Sequence, residues 1–281
     1  MKRLIEDGNP LYGKVLLNNA KLVKNGLCLL IGLSSLFYYK DFTALLASLI
    51  IINLTMYVGV VAYHRLLIHR SFSCPKWLEY LLIFFANLSG IGSPLKQISI
   101  HETRDWAQRQ EKCHPYFSHK ENLITDGFQQ LFCELKLNNA PYFKIDEEQE
   151  LFYKHLDKFW WLYQIPLGYL LYHLGSWSWV ASGVFFKMFL VHFGHWFIAH
   201  LLHNYGQQPS LVRGAGVQGF NLHLLALLTF GESYHNNHHR CPNAANNAFT
   251  KGQIDPAWWL ILLFTKLGLA HKVIMYETGS K

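Results

Sequence analysis

Long apolar runs alternate with polar segments along this chain of 281 residues. The clearest run extends from Phe42 to Tyr63, is almost free of charge, and is long enough for the roughly 20 residues that cross a bilayer. An earlier run between Lys24 and Lys40 is short for a bilayer crossing. It becomes long enough when Leu22 and Val23 are included and the flanking lysines extend toward the membrane surface. Each of these runs predicts one transmembrane helix.

Two further apolar runs, from Phe159 to Leu174 and from Trp177 to Leu202, are joined by the short sequence GSWS. Small and aromatic residues are typical of a tight hairpin at the membrane interface, so the two runs predict a second pair of transmembrane helices. The run from Trp77 to Leu95 carries Glu79 and Asn87. For that run an interfacial helix is favoured over a crossing.

The segment from Ser99 to Lys158 is charged and polar and is expected to lie in water. Near the C-terminus, Asp255 and Pro256 precede an amphipathic stretch, which indicates a helix along the membrane surface because aspartate is a common N-cap and proline a common first residue. The predicted fold class is an all-α integral membrane protein. It comprises a single domain over residues 1–281, with about four transmembrane helices, interfacial helices and a cytoplasmic histidine-rich cap.

Composition and charge agree with a membrane protein: 51% of the residues are hydrophobic, 15% are charged and the net charge is +7. Four crossings place the termini and residues 64–158 on one side together with most basic residues, which the positive-inside rule assigns to the cytoplasm. Membrane orientation therefore explains the charge without nucleic acid. The N-terminus lacks the layout of a cleavable signal peptide. The five scattered cysteines favour a reducing compartment and neither a disulfide framework nor structural zinc.

Histidines are concentrated at two places. In GESYHNNHHRCP, His235, His238 and His239 are spaced i, i+3 and i+4, which puts the three imidazoles on one helical face and suits one metal or two neighbouring metals. In YHRLLIHRSF, His64 and His69 follow the clearest apolar run. The alternatives are a polar loop that contains histidines by chance and a pair of interfacial side chains. Both groups are expected at the same membrane face, which favours metal ligands.

In these motifs the sequence resembles the membrane fatty acid desaturases, particularly the acyl-CoA desaturase branch. The family's first histidine box is similar to H-R-x-x-x-H-R-S and its third to G-E-x-x-H-N-x-H-H-x-x-P. The stretch WFIAHLLHNYGQQP is similar to the segment after the family's fourth transmembrane helix, where His203 holds the position of another iron ligand. The resemblance extends from about the second span to near the C-terminus.

The resemblance implies a centre of two iron ions that uses O₂ to desaturate a lipid acyl chain, carried on CoA or a similar thioester or lipid. Electrons would come from a separate donor such as cytochrome b5 or a ferredoxin, since the sequence has no Rossmann fingerprint or flavin motif. A hydroxylase or other oxygenase on the same scaffold is the alternative enzyme. A histidine-rich metal-binding membrane protein is the non-enzymatic alternative. Transport is disfavoured because the histidines sit at the ends of spans.

The second histidine box departs from the family. It is normally H-R-x-H-H, but this chain reads HETRD, which keeps His101 and has Arg104 and Asp105 where histidines belong. Arginine stays protonated and cannot bind a cation. Asp105 lies four residues after His101, on the same helical face, and suits iron as a ligand. We therefore predict Asp105 within reach of a metal and Arg104 turned away, paired with a carboxylate or phosphate. The family's asparagine four residues before His203 is Ala199.

Spacing and resemblance together give the predicted metal ligands: His64, His69, His101, Asp105, His203, His235, His238 and His239. Two further histidines in a polar loop are interpreted as surface residues and are not included among the predicted metal ligands: His114 and His119. On the fourth span, three histidines are interpreted as supporting or packing residues: His192, His195 and His200. Several cations either bind a charged substrate head group, or extend to lipid phosphates or pair with Asp105 and Glu111: Arg65, Arg70, Lys76, Arg104 and Arg109.

Overall fold

A computed structural model describes residues 3–276 of the chain. Its α-helices are α1 Asn19–Phe37, α2 Phe42–Gly59, α3 Lys76–Asn87, α4 Pro94–Gln108, α5 Pro115–Ser118, α6 Leu123–Phe132, α7 Leu151–Phe159, α8 Gln164–Val180, α9 Lys187–Asn204, α10 His235–Arg240 and α11 Pro256–Lys266. Wider π-helical turns form Val60–Ile68 and Ala181–Phe186, and 3-10 turns form Asp146–Gln149, Trp160–Tyr163 and His223–Leu225.

Three helical segments of the described chain are long and apolar enough to cross a membrane: Asn19–Phe37, Phe42–Ile68 and Leu151–Asn204. The third is not straight, because Gly175 (φ −158°, ψ 24°) and Ser176 (φ 63°, ψ −160°) leave the helical conformation. The chain reverses there, at the predicted GSWS hairpin. The broken segment is 54 residues long, enough for two crossings, so the three segments are consistent with the predicted all-α membrane protein of about four transmembrane helices.

Glycines allow the two arms of this hairpin to pack closely. A Cβ atom on Gly175 would lie 2.1 Å from the Trp179 ring, so no larger residue fits at the turn. Farther along, a Cβ atom on Gly183 would lie 2.6 Å from Leu171 of the opposite arm. The close approach brings α8 against the π-helical turn Ala181–Phe186.

The outer surface of the spans carries large apolar side chains, among them Leu30, Phe42, Leu54 and Tyr169. Such a surface is stable against lipid hydrocarbon and would be unfavourable in water. By contrast, α3 has only 12 residues, which gives a length of ~18 Å. It is too short for a hydrocarbon core of about 30 Å, in agreement with the predicted interfacial helix.

Two small antiparallel sheets lie in the polar part and were not predicted. Strand β1 (Leu4–Glu6) pairs with β4 (Tyr142–Phe143), and β2 (Gly13–Leu17) pairs with β3 (Cys133–Leu137). The strands are short and their partners are distant in sequence, so local patterns could not reveal them. The all-α class is otherwise confirmed.

The end of the second span is the centre of the packed core. Val61 in the π-helical turn after α2 is fully buried, together with Ile83 of α3, Ile98 of α4 and Ile261 of α11. The aspartate predicted to begin α11 does so: Asp255 Oδ1 accepts a hydrogen bond from Trp258 N at 3.1 Å.

Topology can be tested with single cysteines at exposed lysines. We expect Lys136→Cys and Lys251→Cys to react with a membrane-impermeant maleimide from the same side, and Lys40→Cys, between α1 and α2, from the opposite side. Labelling of the wild-type chain, whose own cysteines are buried or partly buried, gives the background. Labelling of Lys136→Cys and Lys251→Cys from opposite sides would contradict the arrangement of spans.

Candidate metal centre

A π-helical turn positions the first pair of histidines. The backbone N–H of His69 bonds to His64 O at 3.0 Å, an i to i+5 bond. In an α-helix, residues five apart point roughly 140° from each other. The wider turn brings them onto one side instead, and the two rings approach to 4.6 Å between centroids. Such turns often occur at functional sites.

The last histidine box forms the short helix α10, which is held by buried amide side chains. Asn221 Oδ1 accepts hydrogen bonds from the backbone N–H groups of Asn236 at 2.9 Å and Asn237 at 3.3 Å. Asn237 Nδ2 donates to Asn247 O at 2.7 Å and to Gln253 Oε1 at 2.9 Å. These bonds fix the helix to the loops around it, and its histidines then face inward.

The predicted histidines come together in two adjoining clusters. The four-histidine cluster consists of His64, His69, His101 and His238. The three-histidine cluster consists of His203, His235 and His239. In each, the potential ligand atoms lie within 4.8 Å of one another. The clusters share α10, where the rings of His235 and His238 stack with centroids 5.6 Å apart.

Ring nitrogens in the four-histidine cluster have the spacing of metal ligands. His64 Nε2 lies 3.1 Å from both His69 Nε2 and His101 Nε2. Imidazoles bound to a divalent metal at about 2.1 Å, with ligands about 90° to 109° apart, have nitrogens about 3.0 to 3.4 Å from one another. The single lone pair of His64 Nε2 cannot satisfy both neighbours through hydrogen bonds, whereas a shared cation satisfies all three nitrogens.

The three-histidine cluster has the same spacing. His235 Nε2 lies 3.3 Å from His203 Nε2 and 3.1 Å from His239 Nε2. His203 Nδ1 donates to Ala199 O at 2.7 Å, so the Nε2 lone pair is the one that faces the cluster. The donor set and its tautomer therefore fit a metal ion.

Burial keeps the clustered histidines neutral. It lowers the pKa of His101 and of His239 to about 4, and it lowers the pKa of His69, His235 and His238 well below the usual value of 6.5. Neutral imidazole is the form that binds metal. In addition, the buried Nδ1 of His238 has no hydrogen-bond partner within residues 3–276.

A buried ion network stands behind the four-histidine cluster. Glu232 Oε2 accepts from His64 Nδ1 at 2.6 Å, and Glu232 Oε1 accepts from Arg65 Nε at 2.9 Å and Nη2 at 2.6 Å. Arg65 Nη1 donates to Asp255 Oδ2 at 3.1 Å and to Ala245 O at 2.6 Å. Burial alone would raise the pKa of Glu232, but the Arg65 charge and the contact with His64 lower it to about 2. The carboxylate thus fixes the His64 tautomer.

Asp105, the remaining predicted ligand, lies beside the clusters. Its Oδ1 atom is 3.4 Å from His101 Nδ1. A small cavity is lined by Asp105, Gln108, Arg109, His238 and His239. The carboxylate therefore shares a cavity with two of the predicted histidine ligands, and its coordination of a metal stays a prediction.

Comparison with known proteins identifies the family. The chain is 33% identical over 221 residues to the sn-2 palmitoyl-lipid 9-desaturase of Nostoc sp. (strain 36), with 77% of this chain and 76% of the relative covered. It is 32% identical over 213 residues to the sn-1 stearoyl-lipid 9-desaturase of Anabaena variabilis, with 76% and 77% covered. The chain belongs to the membrane fatty acid desaturases.

A third relative of this desaturase is the Delta-9 desaturase-like 2 protein of Arabidopsis thaliana, 33% identical over 251 residues, with 87% of this chain and 81% of the relative covered. No family model matches the chain. The family predicted from the histidine boxes is thereby confirmed.

Arg104 of the desaturase takes no part in either histidine cluster. Its Nη1 atom lies 3.2 Å from His119 Nε2, and its Nη2 donates to Gln130 Oε1 at 2.8 Å. The predicted partner, a carboxylate or phosphate, is wrong, because the guanidinium contacts an imidazole and an amide oxygen instead. His119 is fully buried, so its interpretation as a surface histidine is also wrong.

Behind Arg104 lies a second buried network, which we call the Asp126 network. Asp126 Oδ2 accepts from His119 Nδ1 at 3.0 Å, His200 Nδ1 at 2.8 Å and Trp196 Nε1 at 2.8 Å. Because arginine only donates, His119 Nε2 carries the lone pair and Nδ1 carries the proton given to Asp126. With three donors on one oxygen and a guanidinium nearby, the network is a hydrogen-bonded support and a poor metal site.

Other candidate residues have structural partners. Arg65 is fully buried and pairs with Glu232 and Asp255, so it contacts neither a substrate head group nor lipid, and its partners are not the predicted Asp105 and Glu111. Arg70 pairs with Glu147 at 3.2 Å, a carboxylate other than the predicted Asp105 and Glu111. On α9, His192 Nε2 lies 2.9 Å from Lys24 Nζ. His192 belongs to no group of three potential ligands in the described chain, which agrees with a packing role.

Sequence reasoning missed three polar residues of the desaturase site. Glu232 could have been found from the sequence, since it lies in the motif G-E-x-x-H that precedes the last three histidines, but no role was predicted for it. Gln108 shares a helical face with Asp105 at spacing i, i+3, which was also available from sequence. Asp126 had no signal in the sequence, because Trp196 and His200 of α9, which donate to it, lie 70 and 74 positions away.

The Asp126 network should stabilise the desaturase in a pH-dependent way. Burial alone would raise the pKa of Asp126, but the hydrogen bonds from His119, Trp196 and His200 lower it from 3.8 to about 2. This stability is present above pH 3.8 and is lost as the pH falls toward about 2. We expect Asp126→Asn to lower the free energy of unfolding by about 2 kcal/mol near neutral pH, with the difference from wild type shrinking in acid.

Unfolding of detergent-solubilised protein across the acid range measures this effect. Asp146→Asn, at an exposed surface pair, is the matched control and should change stability little. An Asp126→Asn protein as stable as wild type near neutral pH would refute the network's contribution.

Proposed function

We propose that the chain is an iron-dependent, O₂-using desaturase that introduces a double bond at carbon 9 of palmitoyl or stearoyl chains in membrane lipids. The observation that carries the proposal is the pair of adjoining histidine clusters, whose Nε2 atoms lie 3.1 to 3.3 Å apart. The position and the lipid-linked substrate are supported by the names of the relatives from Nostoc and Anabaena.

Residues of both clusters hold the metals. In this proposal the four-histidine cluster holds one iron ion, and the three-histidine cluster holds the second with Asp105 as an additional ligand. When bound, iron supplies activation of O₂ and removal of hydrogen from an unactivated methylene pair, which no side chain can do alone. Glu232 orients His64, and the Ala199 carbonyl orients His203.

The protein also positions the metal centre relative to the acyl chain of the substrate. His64 and His69 lie at the end of the second span, and His203 lies near the end of α9, so the centre lies near the membrane surface, within reach of an acyl chain held among the helices. A cytoplasmic orientation is supported by the excess of basic residues on that side. A separate electron donor, of the cytochrome b5 or ferredoxin type, completes the reaction, because the sequence has no flavin or nicotinamide motif.

Expression in a desaturase-deficient host, followed by mass spectrometry of the lipids, tests the function. We expect unsaturation at carbon 9 in glycerolipid acyl chains. His238→Ala should abolish the product and reduce iron per chain while membrane insertion persists. His173→Ala, at an exposed histidine of α8, is the matched control and should retain both. Hydroxylated chains would favour the oxygenase alternative, and unchanged lipids with the wild-type chain would refute the proposal.

The role of Asp105 can be tested separately. We expect Asp105→Asn to lower iron per chain strongly, because a neutral amide oxygen is a weaker ligand than a carboxylate, whereas Asp105→His should retain part of the binding. Glu111→Gln, at an exposed carboxylate, controls for the loss of charge. Elemental analysis of purified protein gives the result. Iron content equal to wild type in Asp105→Asn would remove Asp105 from the ligand set.

A further inference from the structure

The two histidine clusters differ in what surrounds them. The four-histidine cluster has one more imidazole than the three-histidine cluster. It also has a carboxylate behind a ligand, since Glu232 accepts from His64 Nδ1 at 2.6 Å, whereas His203 Nδ1 is bonded only to a backbone carbonyl. A carboxylate partner makes a ligating imidazole more basic, and it therefore strengthens metal binding at the four-histidine cluster.

An amide group acts on the weaker cluster. Gln108 is buried, with 3% of its side chain exposed, and its Nε2 atom donates to Phe117 O at 2.7 Å. A carbonyl oxygen accepts only from a donor, so this bond identifies the amide nitrogen and fixes the orientation of the amide. The same nitrogen lies 3.1 Å from His203 Nε2.

This contact uses the lone pair that a metal would need. His203 Nδ1 carries the ring proton, because it is bonded to the Ala199 carbonyl oxygen at 2.7 Å. Nε2 is therefore the acceptor, and the second N–H of Gln108 is directed at it. A metal can bind His203 only after this hydrogen bond is given up. The hydrogen bond from Gln108 Nε2 to Phe117 O keeps the amide beside the His203 ring, where it competes with a metal ion for Nε2.

We propose that the Gln108 amide competes with a metal ion for His203 Nε2 in the three-histidine cluster. As a consequence, the two metal sites bind their ions one after the other. The four-histidine cluster fills first and tightly. The three-histidine cluster fills second, at a higher concentration of free metal, as Gln108 releases His203. This inference rests on the metal sites of the proposed function and adds an order of loading and the residue that sets it.

The test is a titration of the metal-free, full-length protein in detergent with Co²⁺, and with Fe²⁺ under nitrogen. Equilibrium dialysis and elemental analysis give bound metal per chain. We expect two binding steps in wild type. His203→Ala should lose the second step and keep the first. Gln108→Leu, similar in volume but without an N–H, should tighten the second step about fivefold, the equivalent of one net hydrogen bond.

Control variants separate competition from general damage. Gln208→Leu, at an exposed glutamine, should leave both steps unchanged. Gln108→Glu removes the competing donor and adds a carboxylate, so it should tighten the second step more than Gln108→Leu does. The melting temperature of each metal-free variant shows whether it is folded. If Gln108→Leu does not fold, Gln108→Glu and the wild-type titration decide the outcome.

The outcomes are distinct. Two metals bound in one step by wild type, or a second step that Gln108→Leu leaves unchanged, would overturn the role of Gln108 while the proposed function stands. A wild-type chain that binds neither Co²⁺ nor Fe²⁺ would overturn the proposed function itself.

Discussion

One buried guanidinium connects the parts of this protein that must meet for a metal site to exist. Arg65 follows His64 at the end of the second span and binds Glu232, which precedes α10, and Asp255, which begins α11. A cation with no exposed surface is tolerated only when it is fully paired. The pairing therefore determines where the C-terminal histidines lie relative to the membrane helix, and the other contacts refine that placement.

Much of the architecture could be predicted from local pattern. Apolar runs have the length of a bilayer crossing, GSWS marks the reversal at Gly175 and Ser176, and Asp255 is a recognisable N-cap. The histidine boxes predicted the family, because their residues and spacing resemble the boxes of the membrane fatty acid desaturases. These features depend on neighbours in sequence, and a single chain displays them directly.

The remaining features depend on partners distant in sequence. His119 looked like a surface residue because its loop is polar, yet Asp126 and Arg104 enclose it completely. The pairing of β2 with β3 follows from the packing of α1 beside α6. The π-helical turn at Val60–Ile68 was also hidden, since its sequence contains no proline or glycine that would mark a change from the α-helix before it.

The separation of the paired residues bears on how the protein is made. Arg65 and Glu232 are 167 positions apart, so a ribosome has delivered the first pair of histidines to the membrane long before the last three emerge. Until then, His64 and His69 are an exposed pair of imidazoles with little hold on a metal. A chain truncated before α10 would therefore lack His235, His238 and His239, and both histidine clusters would be incomplete.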